Sequence, residues 1–169
     1  MIKTYKVNQL PFSKYEIAFM GRSNVGKSSL LNRILQHKIC RVSKTPGCTK
    51  WIGFYKMQHD ISIVDLPGYG YANISKTKEG LISNMIYEYI ESKRAKEIWI
   101  LIDSRRDIMD LDNQILKFVL SYDIPVKIIA TKCDKKDSKY IKADFYTSAK
   151  DLSGIQTIQE YLQNIKLAQ

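Results

Sequence analysis

The first chemistry legible in the chain is GRSNVGKS, Gly21 to Ser28. It satisfies G-x-x-x-x-G-K-[ST], a loop whose backbone N–H groups converge on phosphate oxygens. Gly21 and Gly26 permit the tight turn. Lys27 has the charge and reach for β and γ phosphates, and the Ser28 hydroxyl is a hard oxygen ligand suited to Mg²⁺. Arg22, Ser23, Asn24 and Val25 complete the loop and Ser29 follows it, so Gly21 to Ser29 is the candidate phosphate site. The plain alternative is a glycine-rich turn with a solvated lysine. The flanks argue against it: YEIAFM before the loop reads as a buried strand and SLLNRILQ after it as a helix. That helix would aim the positive end of its dipole at the phosphates. Lys27 is expected to face the ligand rather than the core.

Two further motifs fit the same site. DLPG, Asp65 to Gly68, closes the apolar run DISIVDL, and open α/β sheets bind ligands at strand ends of this kind. Asp65 can hold Mg²⁺ through water, and the Gly68 N–H can approach a γ-phosphate. TKCD, Thr131 to Asp134, follows the run PVKIIA. A carboxylate at Asp134 can accept from guanine N1–H and the 2-amino group. Adenine would leave it unmatched. The Lys132 stem can lie over the base. In Ser148-Ala149-Lys150 a backbone N–H could meet guanine O6. Taken alone, TKCD is more often a solvated turn; its place in a phosphate-loop chain favours a base-reading role.

The elements that must position these residues follow from periodicity. Strands are expected at Glu16–Met20, 51–57, 60–66, 97–103, 125–130 and within 142–150, with the second and third forming an antiparallel hairpin. Helices are expected at Lys27–Gln36, over 81–96 with Leu81, Met85, Ile86, Tyr89 and Ile90 facing inward, and from an Asp110 N-cap to Leu120. A closing helix should bury Ile155, Ile158, Leu162 and Ile165. The nearly continuous apolar run EIWILID suits a strand covered on both faces. The result is a doubly wound α/β fold with a mostly parallel six-stranded sheet and one antiparallel edge strand. Residues 1–13 form an extended arm or edge strand, with Pro11 interrupting any helix. The basic stretch HKICRVSKTPGCTK reads as a loop, and Tyr69 to Gly80 as a mobile one.

Lys and Arg total 27 against 17 Asp and Glu, a formal net charge of +10 over 169 residues. Such an excess suits a polyanionic partner, though it also serves solubility. No apolar run reaches membrane-spanning length and the opening residues lack the centre of a signal peptide. Cys40, Cys48 and Cys133 show no metal-ligand spacing.

Together GRSNVGKS, DLPG, TKCD and SAK resemble a small GTPase of the translation-factor type. The finer resemblance is to the EngB/YsxC family of bacterial ribosome-biogenesis GTP-binding proteins. It is carried by GRSNVGKSSLLN at Gly21–Asn32, TPGCTK at Thr45–Lys50 and DLPGYGYA at Asp65–Ala72. The resemblance implies a single guanine-nucleotide-binding domain over 1–169, a P-loop NTPase binding GTP and GDP. It further implies a cytoplasmic, non-membrane, monomeric factor assisting assembly of the large ribosomal subunit. Clients on the small subunit or in tRNA modification are the alternative, as is a nucleotide-gated RNA-binding module whose hydrolysis is incidental. In the family pattern Thr49 joins Ser28 and Asp65 as a Mg²⁺ ligand, with Thr45 its rival. Asn24 matches an asparagine that holds K⁺ beside the phosphates in related GTPases; the other reading is an amide that stabilises the loop. Ras-like enzymes position the attacking water with a glutamine after D-x-x-G. Here Tyr69 stands there, a phenol with an ordinary pKa of about 10 and a poor base. Catalysis would rest on Lys27, Asn24, Thr49 and Gly68, and slow hydrolysis is expected.

Overall fold

The computed structural model describes residues 1–36, 51–57, 59–70 and 76–167. Its frame is one sheet of strands β1 (Ile2–Thr4), β2 (Tyr15–Gly21), β3 (Ile52–Lys56), β4 (Ile61–Asp65), β5 (Ala95–Asp103), β6 (Val126–Thr131) and β7 (Phe145–Tyr146). Helices α1 (Lys27–Ile34), α2 (Lys76–Glu91), α3 (Asp110–Leu120) and α4 (Ile155–Leu167) connect or close it. The order across the sheet is β1-β3-β4-β2-β5-β6-β7. Strands β4, β2, β5, β6 and β7 run parallel, whereas β3 is antiparallel to both β4 and β1.

Among the described residues the sheet thus has seven strands rather than the expected six, and its antiparallel strand is not at the edge. The N-terminal arm supplies the difference: Ile2, Lys3 and Thr4 pair with Phe54, Gly53 and Ile52. This occupies backbone groups of β3 that would otherwise face outward unpaired. The arm then makes a single 3₁₀ turn, Val7–Gln9, and stops at Leu10 before Pro11, as the fixed proline ring requires.

Alternation along the strands divides the core. Ala18, Met20, Ile98, Ile100 and Ile102 face one layer, with Met85, Ile86, Tyr89, Ile90 of α2 and Val119 of α3. Ile17, Phe19, Trp99 and Leu101 face the other, with Leu30, Leu31 and Ile34 of α1 and Ile155, Ile158 and Leu162 of α4. A period of two with both faces apolar is what a doubly covered sheet demands. The buried Glu97 carboxylate is satisfied by Tyr15 (2.8 Å), Tyr161 (2.6 Å) and the Trp99 indole N–H (2.8 Å), which joins β2, β5 and α4. Without those donors the buried charge would be strongly unfavourable.

Two local expectations change. Asp110 is the first residue of α3 rather than its N-cap; Met109 precedes it, and the Asp112 carboxylate accepts the Met109 N–H at 3.0 Å. The expected loop Tyr69–Gly80 is shorter, because Lys76 to Gly80 already lie in α2 and Tyr69 is buried. Gly80 reads as a helix breaker in isolation, but Lys76–Glu79 favour helix and the downstream packing of α2 outweighs one glycine.

Candidate functional site

The C-terminal ends of β2, β4 and β6 bring the three motifs to one rim of the sheet. This is where the strand order turns back on itself, with β4 and β5 on opposite sides of β2, and where α/β sheets place ligands. The phosphate loop bridges from β2 to α1. Gly26 holds φ at 105° and is the residue before the helix, a conformation costly with a side chain. Asn24 also has a positive φ, 65°, and sits exposed at the crown of the loop.

The Lys27 ammonium does not point into solvent. It forms an ion pair with the Asp65 carboxylate, and the two are only 7% and 3% exposed. Lys27 is therefore buried against Asp65 rather than solvated. The physical reason is complementarity: each charge is desolvated, and each is the other's nearest neutralising partner. Asp65 with the Ser28 hydroxyl offers the hard oxygen donors that suit Mg²⁺. Among the described residues no cluster of three or more His, Cys, Asp or Glu side chains could hold a metal by itself. Mg²⁺ here would need phosphate and water oxygens to complete its shell, which is its habit.

The base-reading side is built by contacts between distant segments. Thr131 donates its hydroxyl to Val25 O at 2.7 Å, fastening β6 to the phosphate loop. Lys132, at φ 61°, extends its stem past Gly26 and donates from Nζ to Asn24 O and Asp103 Oδ2, both at 2.7 Å. Asp103 also receives two guanidinium hydrogen bonds from Arg105, at 2.9 and 2.8 Å. Burial alone would push its carboxyl up, but Arg105 and Lys132 overcome this and hold it well below the usual carboxylate range. Asp103 belongs to none of the three motifs. Its one signal was an acid ending a continuous apolar strand beside the site.

Asp134 accepts from the Ser148 hydroxyl through Oδ1 at 2.9 Å. Its Oδ2 lies 3.4 Å from the Lys135 ammonium but accepts no hydrogen bond, although the atom is shielded from solvent. The Ser148 hydrogen bond holds the Asp134 carboxyl below its ordinary value. An acceptor-only carboxylate is what the N1–H and 2-amino edge of guanine requires. In the SAK loop the Ser148 N–H is committed to Ser153 O and the Lys150 N–H to Ser148 Oγ. A cleft of about 1030 Å³ runs from Gly26, Ser29 and Arg33 to Lys132, Asp134, Ala149 and Lys150. It is long enough to join the phosphate loop to the guanine motif.

Gly68 lies against the phosphate loop, where a Cβ would come within 3.2 Å of Ser23 Oγ and 3.3 Å of Ser23 N. The Ser23 hydroxyl is buried without a hydrogen-bond partner. Arg22 reaches away, its guanidinium 3.0 Å from Met109 Sδ. Tyr69 turns inward, not toward the cleft, and so cannot stand in for a water-positioning glutamine. Thr45 and Thr49 lie outside the described residues.

Fold and site together define a P-loop GTPase. Residues 16–132 match the family model described as 50S ribosome-binding GTPase. The chain is 42% identical over 135 residues to the "probable GTP-binding protein EngB" of Lactobacillus gasseri, covering 79% of this chain and 68% of that one. It is 38% identical over 162 residues to the protein of that name from Metamycoplasma arthritidis, covering 94% and 88%. A crystal structure of a probable GTP-binding protein engB superposes with a TM-score of 0.72 at 24% identity, over 91% of this chain and 100% of that one, which supports the fold. The chain belongs to the EngB family of GTP-hydrolysing proteins.

Proposed function

We propose that this chain is a guanine-nucleotide switch that hydrolyses GTP slowly and assists assembly of the large ribosomal subunit. The observation that carries the nucleotide assignment is one cleft lined by both Gly26 and Ser29 of the phosphate loop and Asp134 of the guanine motif. The ribosomal assignment follows from family membership, and the net charge of +10 agrees with an RNA-rich partner.

In this reading Gly21 to Ser29 cradle the phosphates, and Lys27 leaves Asp65 for the β and γ phosphate oxygens. Ser28 and Asp65, joined by Thr49 or Thr45, would hold Mg²⁺, which when bound would neutralise phosphate charge. Asp134 reads guanine N1–H and the 2-amino group, Lys132 covers the base, and Ala149 offers the loop N–H for O6 now that Ser148 and Lys150 are committed. Thr131 keeps the two halves in register through Val25. As the γ-phosphoryl moves to water, the Lys27 ammonium and the Gly68 N–H stabilise the developing charge. With Tyr69 turned away, no side chain among the described residues is placed to abstract the proton efficiently, and a low intrinsic rate is expected. K⁺ on the Asn24 amide oxygen would supply further positive charge; comparing turnover in KCl and NaCl tests it.

We take residues 1–169 as one guanine-nucleotide domain acting as a cytoplasmic monomer. No helix among the described residues is long and apolar enough to cross a membrane. The alternative, a nucleotide-gated RNA-binding module with incidental hydrolysis, draws on the inward Tyr69. Co-sedimentation with separated ribosomal subunits in the GDP, GTP-analogue and empty states is the test. The proposal expects nucleotide-dependent binding to the large subunit and turnover stimulated by it. Binding only to the small subunit, or equal binding in all three states, overturns it.

A further inference from the structure

Tyr69 is held from two sides. Its N–H donates to Gly21 O and its carbonyl accepts from Ser23 N–H, both at 3.2 Å, so the segment after D-x-x-G is zipped to the phosphate loop. Its phenol points the other way and donates to Asp112 Oδ1 at 2.9 Å. The second oxygen of Asp112 accepts the Met109 N–H at 3.0 Å, which fixes the carboxylate to the start of α3. Tyr69 and Asp112 are 7% and 3% exposed. Burial and the neighbouring Asp112 charge push the phenol well above its ordinary value, so it stays a donor. Gly68, the preceding residue, has no slack, since even a Cβ would crowd Ser23. A displacement of Tyr69 therefore moves the Gly68 N–H, and errors of about 1 Å in a positioned group are expensive.

We propose that Tyr69 and Asp112 are positioning residues for GTP: their hydrogen bond sets the Gly68 N–H where the γ-phosphate must sit, and ties recognition of the third phosphate to the start of α3. The inference rests on the assignment of Gly68 to the γ-phosphate made above. Neither side chain touches the nucleotide. GDP has no γ-phosphate, so the brace adds nothing to its binding. A hydrogen bond to a carboxylate is among the stronger ones, and losing it leaves a buried acceptor unpaired.

The test is titration of the full chain with GDP and with a non-hydrolysable GTP analogue. Tyr69→Phe keeps the ring and removes the donor. It should lower analogue affinity by about tenfold while leaving GDP affinity within about twofold. Should that variant fold poorly, Tyr69→Phe with Asp112→Asn keeps an acceptor for the Met109 N–H without a buried unpaired charge, and the same selective loss is expected. Equal loss for both nucleotides reveals a merely structural role and overturns the proposal, as does no loss for either. Gly68→Ala separates the two readings. If it selectively weakens the analogue while the Tyr69 variants do not, the brace is wrong and the site stands. If Gly68→Ala also spares the analogue, the site assignment fails and the brace falls with it.

Discussion

The Lys27 ammonium is paired with the Asp65 carboxylate at the mouth of the phosphate loop, and both groups are buried. The pair joins the lysine of the first nucleotide motif to the acid of the second. Each neutralises the other, and in the proposed function phosphate and metal charges would separate them. Removing one partner of a buried pair leaves the other charge uncompensated, at a cost of about 3–5 kcal/mol.

Lys27→Ala should therefore abolish triphosphate binding and also destabilise the fold by an amount of that order. Adding Asp65→Asn should restore much of the stability without restoring binding. Denaturant unfolding and calorimetry with GTP check both halves. Unchanged stability in the single variant would mean the pair is energetically idle.

Asp134→Asn should exchange guanine for xanthine preference. The carboxylate becomes an amide, a donor suited to the xanthine 2-oxo group. GTP affinity should fall on the order of a hundredfold or more and XTP affinity should rise. Paired titrations decide it, and an unaltered GTP curve refutes the base assignment.

Asp103→Asn should weaken GDP and GTP alike, because Lys132 loses its charged anchor while Asn24 O remains. It should also change the acid limb of stability. The folded-state carboxyl lies below its unfolded value, so its contribution is fully present above about pH 4 and is lost as pH falls toward the folded pKa. The variant should lose less stability below about pH 4 than the parent does. Thermal melts across that range measure it, and parallel curves would count against the linkage.

Large-subunit association should weaken steeply with salt, as counterion release requires for a protein of net charge +10 on RNA. Co-sedimentation at about 50 and 200 mM salt gives the slope. Salt-insensitive binding would point to an apolar protein contact instead.

The strand–loop–helix geometry of the candidate nucleotide site was legible because its requirements are local. A backbone that wraps phosphate needs Gly26, and strand–loop–helix order puts Lys27 and Ser28 at the helix start whatever the rest of the chain does. The alternating faces of 15–21 and 95–103 likewise dictate a doubly covered sheet. Residue types at short spacing determined the phosphate loop, the acid of DLPG and the carboxylate of TKCD. Tertiary structure alone decided which charges meet. It buried Lys27 on Asp65, fastened Thr131 to Val25, set Asp103 under Lys132 and turned Tyr69 onto Asp112. Each of these joins residues distant in sequence or on separate elements, and nothing in the local pattern encodes such a contact. The seventh strand lies within the expected arm or edge strand of 1–13, and tertiary structure decided its partner. Three residues of β1 have no stable structure of their own, and become a strand because β3 offers them an open edge.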